Sequence, residues 1–382
     1  MRNTESVTLS LTGPASHTIV REPGVGSLTI GPADAGGPRP DLVVLADDTI
    51  NWSAFDGDAF WPRYLTYRGN DVGFFAWSMK RPVESVTWIP QAAAEVDAGR
   101  ARIRELRVDL HAVGLDIVLP NDCSSFVAVG DLSLLKPKLA ADALCPRLRF
   151  CPTTKPSRRD DPLSLPNFPT LAAATSVSVT VEPLRQAFDC TSLLQFPRTR
   201  HVSLQGQLTG LEALARFNDL VGLELRYCPD LSPLPSLGAW PDLTTFIGWN
   251  IDEATGKRLR TEIRSLTRTA GRQWEFASAK QLRSPEWFAT EYGLPFSGWP
   301  AKAARVAVKE YRAAEAGMVA SPSLRGAEAA IRAFVRAVNV LPAVETTERE
   351  DAAEAVVQLA ASAPVDIAVD LALSWFELER DF

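Results

Sequence analysis

An apolar–x–apolar phrase recurs along this chain at nearly fixed intervals, and it limits the possible folds more than any other feature. Clear copies are Leu65/Tyr67, Val86/Trp88, Leu106/Val108, Val127/Val129, Leu148/Phe150, Val177/Val179, Val202/Leu204 and Leu223/Leu225. Their first members lie 21, 20, 21, 21, 29, 25 and 21 residues apart. Leu9/Leu11, Leu28/Ile30 and Val43/Leu45 extend the series backwards, and Phe246 begins a later copy, which makes about twelve units. Alternation with period two predicts a short strand with one buried face. A return after about twenty residues predicts that the next strand lies parallel to the last, joined by a crossover. A repeat of this period predicts a solenoid, in which each unit buries its apolar face against its neighbours.

The fullest unit reads Leu220-Val-Gly-Leu223-Glu-Leu225-Arg-Tyr-Cys228-Pro-Asp-Leu231, followed by Leu243-Thr-Thr-Phe246. It is similar to the leucine-rich repeat family, whose pattern is LxxLxLxx(N/C)xL. Asn70, Asp48 and Cys228 fall in the slot three residues after the second apolar position, and His111 and Gln207 fill it elsewhere. The resemblance covers roughly residues 1–270 in an irregular, bacterial form. It implies an α/β fold: a horseshoe with parallel strands on its concave face and slot residues that satisfy backbone groups as the chain leaves each strand.

In that fold the residues flanking each buried pair point into the concavity, which is the default binding surface of such coils. Unit by unit these are Tyr64, Thr66 and Arg68, then Glu105, Arg107 and Asp109, then Arg147 and Arg149. Ser176, Ser178 and Thr180 follow, then His201, Ser203 and Gln205, then Glu224 and Arg226, then Thr245, Ile247 and Trp249. Arginine and exposed aromatic side chains are the usual anchors of protein interfaces. The candidate partner-binding residues are therefore Tyr64, Arg68, Glu105, Arg107, Asp109, Arg147, Arg149, His201, Glu224, Arg226 and Trp249. Two irregularities interrupt the period. A Pro-rich, charged insertion at 152–166 is expected to loop out of the stack. A Gly/Pro turn after Gly31 is expected to replace one crossover.

Beyond Trp249 the phrase stops. Leu259, Ile263 and Leu266 share one face of a predicted helix near 253–267, which is expected to cap the last strand. Segment 257–272 carries six basic residues against Glu262. Residues 271–283 read as a linker. From Ser284 to Phe382 the pattern is helical: about five amphipathic helices, with Ser284-Pro285-Glu286 as a start signal and Thr347 to Glu350 at capping-box spacing.

No cofactor or metal site is expected. His17, His111 and His201 show no metal-ligand spacing, and no phosphate-cradling glycine loop occurs. Some bacterial leucine-rich repeat proteins carry a helical ubiquitin-ligase domain with a nucleophilic cysteine. Here the last cysteine is Cys228, inside the repeats. The net charge of −6 argues against a general nucleic-acid partner. No apolar run has the roughly 20 residues of a membrane span. The five cysteines and the unhydrophobic start MRNTESVTLS suggest a cytoplasmic protein. The expected function is that of a non-enzymatic scaffold gripping a protein or peptide on the concave face. One alternative is an inhibitor or immunity-type regulator that masks a basic partner with the acidic stretch 345–381. Another is an enzyme with an unrecognised site in the helical domain.

Overall fold

The computed structural model describes residues 5–22, 24–33, 39–57, 61–110, 113–153, 161–181, 186–342 and 345–381. The chain forms two compact units, Met1–Ser284 and Pro285–Phe382. His111, the Gly/Pro turn at 34–38 and residues 154–160 of the 152–166 insertion lie outside the described residues.

The first unit opens with β1 (Glu5–Leu9) and β2 (His17–Arg21), an antiparallel hairpin. Then come β3 (Ser27–Gly31), β4 (Leu42–Val43), β5 (Tyr64–Arg68), α1 (Gly73–Ser78), β6 (Val83–Ile89) and β7 (Ala94–Asp97). Next are β8 (Ile103–Asp109), β9 (Leu115–Val118), β10 (Ser125–Gly130), β11 (Leu135–Lys138) and β12 (Arg147–Pro152). They are followed by β13 (Ser176–Thr180), β14 (Phe188–Asp189), β15 (His201–Gln205), β16 (Leu208–Thr209) and β17 (Gly222–Cys228). The unit closes with β18 (Thr245–Ile251), α2 (Glu253–Thr269) and β19 (Phe276–Lys280).

Twelve of these strands form one parallel sheet in the order β19-β18-β17-β15-β13-β12-β10-β8-β6-β5-β3-β4. The crossovers pair among themselves, as a parallel sheet β11-β9-β7 and a short pair β14-β16. Between the large sheet and the crossovers lies a single apolar core. Leu106, Phe150, Val179 and Leu225 enter it from the strands, and Ile117, Leu171, Leu214 and Trp240 from the connections. Full burial of each such side chain contributes about 1.5–3 kcal/mol, which explains why the phrase is held so regularly.

Strand entry and strand exit repeat as well. Two successive N–H groups share one carbonyl where a strand begins: Arg63 and Tyr64 on Gly26, Arg200 and His201 on Thr175, Val221 and Gly222 on Arg200, Thr244 and Thr245 on Val221. The chain leaves its strand through a left-handed residue at Gly206, Tyr227, Asn250 and Gln281, which follow in-register positions of β15, β17, β18 and β19. Three of the slot residues bond backbone groups, whereas Gln207 is exposed and its side chain has no hydrogen bond with another described residue. Asn70 Oδ1 accepts from Gln91 N (2.9 Å), Asp48 Oδ2 from Leu45 N (2.7 Å), and the Cys228 thiol donates to Arg226 O (3.2 Å).

Four expectations for this unit need correction. In β10 the buried pair is Phe126/Ala128, and Val127 and Val129 face outward, because the bulkier Phe126 takes the core position. The pair Val43/Leu45 is likewise one residue out: Leu42 and Val44 are buried and Leu45 is exposed. Leu9 belongs to the antiparallel hairpin rather than to the parallel series. The stretch 271–283 contains a strand, since β19 pairs with β18 and makes α2 a connection inside the sheet unit rather than its last element.

Helix α2 is set against the core by Leu259, Ile263 and Leu266. Asp252 caps it, accepting from Thr255 N (2.8 Å). Gly256 lets the return segment approach, because a Cβ there would meet Leu282 Cδ2 at 2.2 Å. Much of the basic stripe is structural. Arg258 pairs with Glu262, Arg260 Nε donates to Ala279 O, and Arg272 Nη1 donates to Leu237 O.

The second unit contains α3 (Pro285–Thr290), α4 (Ala301–Ala320), α5 (Leu324–Asn339), α6 (Thr346–Ser362) and α7 (Val369–Glu379). Its core gathers Phe296, Trp299, Tyr311, Ile331, Phe334, Val356, Leu359 and Phe376. The capping box of α6 is formed by Glu345 and Glu348, not by Thr347 and Glu350. Glu379 joins the last helix to α5 through Arg332 and Arg336.

Candidate functional site

The face of the large sheet turned away from the core is organised by strand register into three rows. The first runs through Ser27, Tyr64, Ser85, Glu105, Ser125 and Arg147, and continues through Ser176, His201, Gly222 and Thr245 to Phe276. The second contains Thr66, Thr87, Arg107, Val127, Arg149, Ser178, Ser203, Glu224 and Ile247. Arg68 and Asp109 occupy the third row at its beginning, Arg226 and Trp249 towards its end. All eleven candidate residues thus lie on one face. They do not form one compact site: β5 and β18 are eight strand steps apart, roughly 40 Å along the sheet at about 4.8 Å per step. A surface of this reach suits an extended contact better than a single reacting atom.

The neighbours of each residue decide how free it is. At the β5 end, Glu84 holds both Tyr64, whose hydroxyl donates at 2.9 Å, and Arg63, whose Nη2 lies 2.7 Å away. These partners hold the Glu84 carboxyl below the usual carboxylate range. Arg68 packs on Gly31, where a Cβ would come within 3.0 Å of the arginine Cβ. At the β17 end Glu224 takes a short ion pair from Arg226 and a hydrogen bond from Ser203 (3.1 Å). Trp249 is half-buried. In the middle, Glu105, Arg147 and Arg149 are exposed, while Arg107 and Asp109 are half-buried. Arg107, Arg147 and Arg149 have no ion pair with another described residue.

A depression of about 440 Å³ interrupts the face between β12 and β18. Arg147, Ser176, His201, Ser203, Glu224, Thr245 and Ile247 line it, and Gly222 forms its floor. Glycine leaves room there for the His201 ring, since a Cβ would lie 2.5 Å from His201 Nδ1 and displace it. Gly222 was absent from the candidates because a residue with no side chain offers no chemistry to read. Its place two before Glu224 in the alternation is the signal that finds it. Val127 and Val129 were missed because a run of small apolar residues leaves register ambiguous, and Glu84 because it sits at a strand-entry bulge outside the alternation.

Among the described residues no group of three His, Cys, Asp or Glu is placed to hold a metal ion. Described cysteines are free thiols, and burial pushes those of Cys123 and Cys145 up to about 11 and those of Cys190 and Cys228 higher still. Such thiols are poor nucleophiles. His17 is held by Ser16 Oγ (2.9 Å) and Val43 O (2.7 Å). Among the described residues, no helix is long and apolar enough to cross a membrane. Neither a protein family, nor a curated protein, nor a solved structure matches this chain.

Proposed function

We propose that the first unit is a leucine-rich-repeat-like solenoid whose outward sheet face binds a protein or peptide, and that the chain works as a non-enzymatic scaffold in the cytoplasm. The reading is supported by the spacing of the parallel strands and by crossovers that pair in register with one another. One observation carries the functional part: Arg107, Arg147 and Arg149 stand on the same face without an ion pair to another described residue, beside the apolar Val127 and Val129. Arginines around an apolar centre are the composition of a protein interface.

The test is to replace Arg107, Arg147, Arg149 and Trp249 together by alanine, verify folding by circular dichroism, and measure retention of partners from the native host. Loss of a partner that wild type retains is the expected result. Unchanged retention would sink the reading.

A further inference from the structure

We propose that the centre of this face is a receptor for an oxyanion carried on an acidic protein segment, either a carboxylate-rich stretch or a phosphorylated side chain. The inference rests on the reading of the face as a binding surface and specifies what it grips. The site is a grid of two rows and three strands. Arg147, Ser176 and His201 form one row, and Arg149, Ser178 and Ser203 the next. The two arginines come from β12 and stand on one side of the serines of β13. His201 and Ser203, from β15, stand on the other.

Neighbouring parallel strands lie about 4.8 Å apart, so the flanking residues are separated by roughly 10 Å across β13. Ser176 and Ser178 are short, and Ser176 lines the depression together with Arg147, His201 and Ser203 of the grid. A carboxylate or phosphoryl group fits such a gap. It can accept bidentate hydrogen bonds from a guanidinium and single ones from the hydroxyls.

Charge favours this occupant. Elsewhere on the face Arg63 is neutralised by Glu84 and Arg226 by Glu224, while Arg107, two strands away on β8, has no ion pair with another described residue. The grid contains no acidic residue, and neither Arg147 nor Arg149 has an ion pair with another described residue. The adjoining carboxylate, Glu224, is already engaged by Arg226 and Ser203. Glu105 and Asp109 stand two strands away on β8. These carboxylates, and the chain's net charge of −6, disfavour a long polyanion and favour a short acidic segment.

The experiment titrates the full chain with three fluorescent short peptides of one sequence, aspartate-rich, phosphoserine-bearing and neutral (Asn for Asp), and with a single-stranded oligonucleotide. At least one anionic peptide is expected to bind about tenfold or more tighter than the neutral one, with affinity falling as ionic strength rises. Binding by the phosphopeptide alone identifies a phosphoryl group, and binding by both shows that carboxylates suffice. R147E/R149E is expected to abolish the preference. So is S176L/S178L, which keeps the charges but fills the gap, with folding verified by circular dichroism. R216E, on an exposed connecting segment, is expected to retain it. Equal binding of anionic and neutral peptides, no binding of any peptide, tighter binding of the oligonucleotide, or an unaffected R147E/R149E variant overturns the proposal. The broader reading of the face is judged separately by the four-residue variant described above.

Discussion

The helices of the second unit and the outward face of the large sheet differ in how their arginines find partners. In the helical unit, Arg312, Arg332, Arg336 and Arg380 are all engaged by carboxylates. On the sheet face, Arg107, Arg147 and Arg149 have no ion pair with another described residue. A helix places oppositely charged residues three or four apart on one side, so a chain can neutralise its own charges at little cost. In a parallel sheet, neighbours on a face come from residues some twenty positions apart. Pairing then depends on what each strand happens to supply. Where a sheet face neither pairs its charges nor buries them, it is open to a partner.

The cores differ as well. That of the sheet unit is a stack in which each layer touches its neighbours, whereas four helices, α4 to α7, share one cluster in the other. Phe150→Ala and Phe334→Ala, each removing a fully buried ring, are expected to cost about 3–5 kcal/mol. In calorimetry each should lower a different transition. A single transition lowered by both variants would remove the distinction between the units.

A smaller effect separates local polar architecture from apolar stacking. Asp71 accepts from Ile50 N (3.2 Å), Trp52 Nε1 (2.7 Å) and Gly73 N (2.7 Å), which ties α1 to the aromatic layer of Trp52, Phe74 and Trp77. Asp71→Ala is expected to destabilise the sheet unit by about 1–3 kcal/mol and to leave the helical transition in place. Urea denaturation followed by tryptophan fluorescence would measure it.

The thiols provide a kinetic comparison. With values of about 11, Cys123 and Cys145 are deprotonated in on the order of one molecule in a thousand at pH 8. Alkylation of the native protein should therefore be slow and should accelerate about tenfold per pH unit below that value. Fast, pH-independent labelling would show that these layers open.

The smallest expected effect lies in the helical unit. Burial raises the Asp351 carboxyl, although Trp299 Nε1 donates to it at 2.9 Å. Between the unfolded and folded values the folded state holds more protons, so stability falls as pH rises through that window. Asp351→Asn keeps an acceptor for Trp299 and removes this loss. It should raise the helical melting temperature slightly at neutral pH and not under acid conditions where Asp351 is already protonated.

Much of this contrast was readable in the chain. The in-register rows follow from the apolar alternation, because a buried Leu148 and Phe150 force Arg147 and Arg149 outward. Helix α2 and the helical second unit follow from spacing. Register failed where side chains are ambiguous, at Phe126-Val-Ala-Val129, where either alternation is apolar. The strand β19 was hidden because Phe276-Ala-Ser-Ala-Lys280 is short and weakly apolar, and pairing with β18 overrides its local preference. Gly222 and Glu84 needed three-dimensional neighbours to acquire meaning.

The central claim is that the outward sheet face, and not the connecting side, meets the partner. A photo-crosslinking residue placed at Ser178 on the face, or at Arg216 on the opposite connections, tests this directly in the native host extract. Capture of the same partner at position 178 and not at 216 is the expected result. Equal capture at both positions, or capture at 216 alone, would contradict the account.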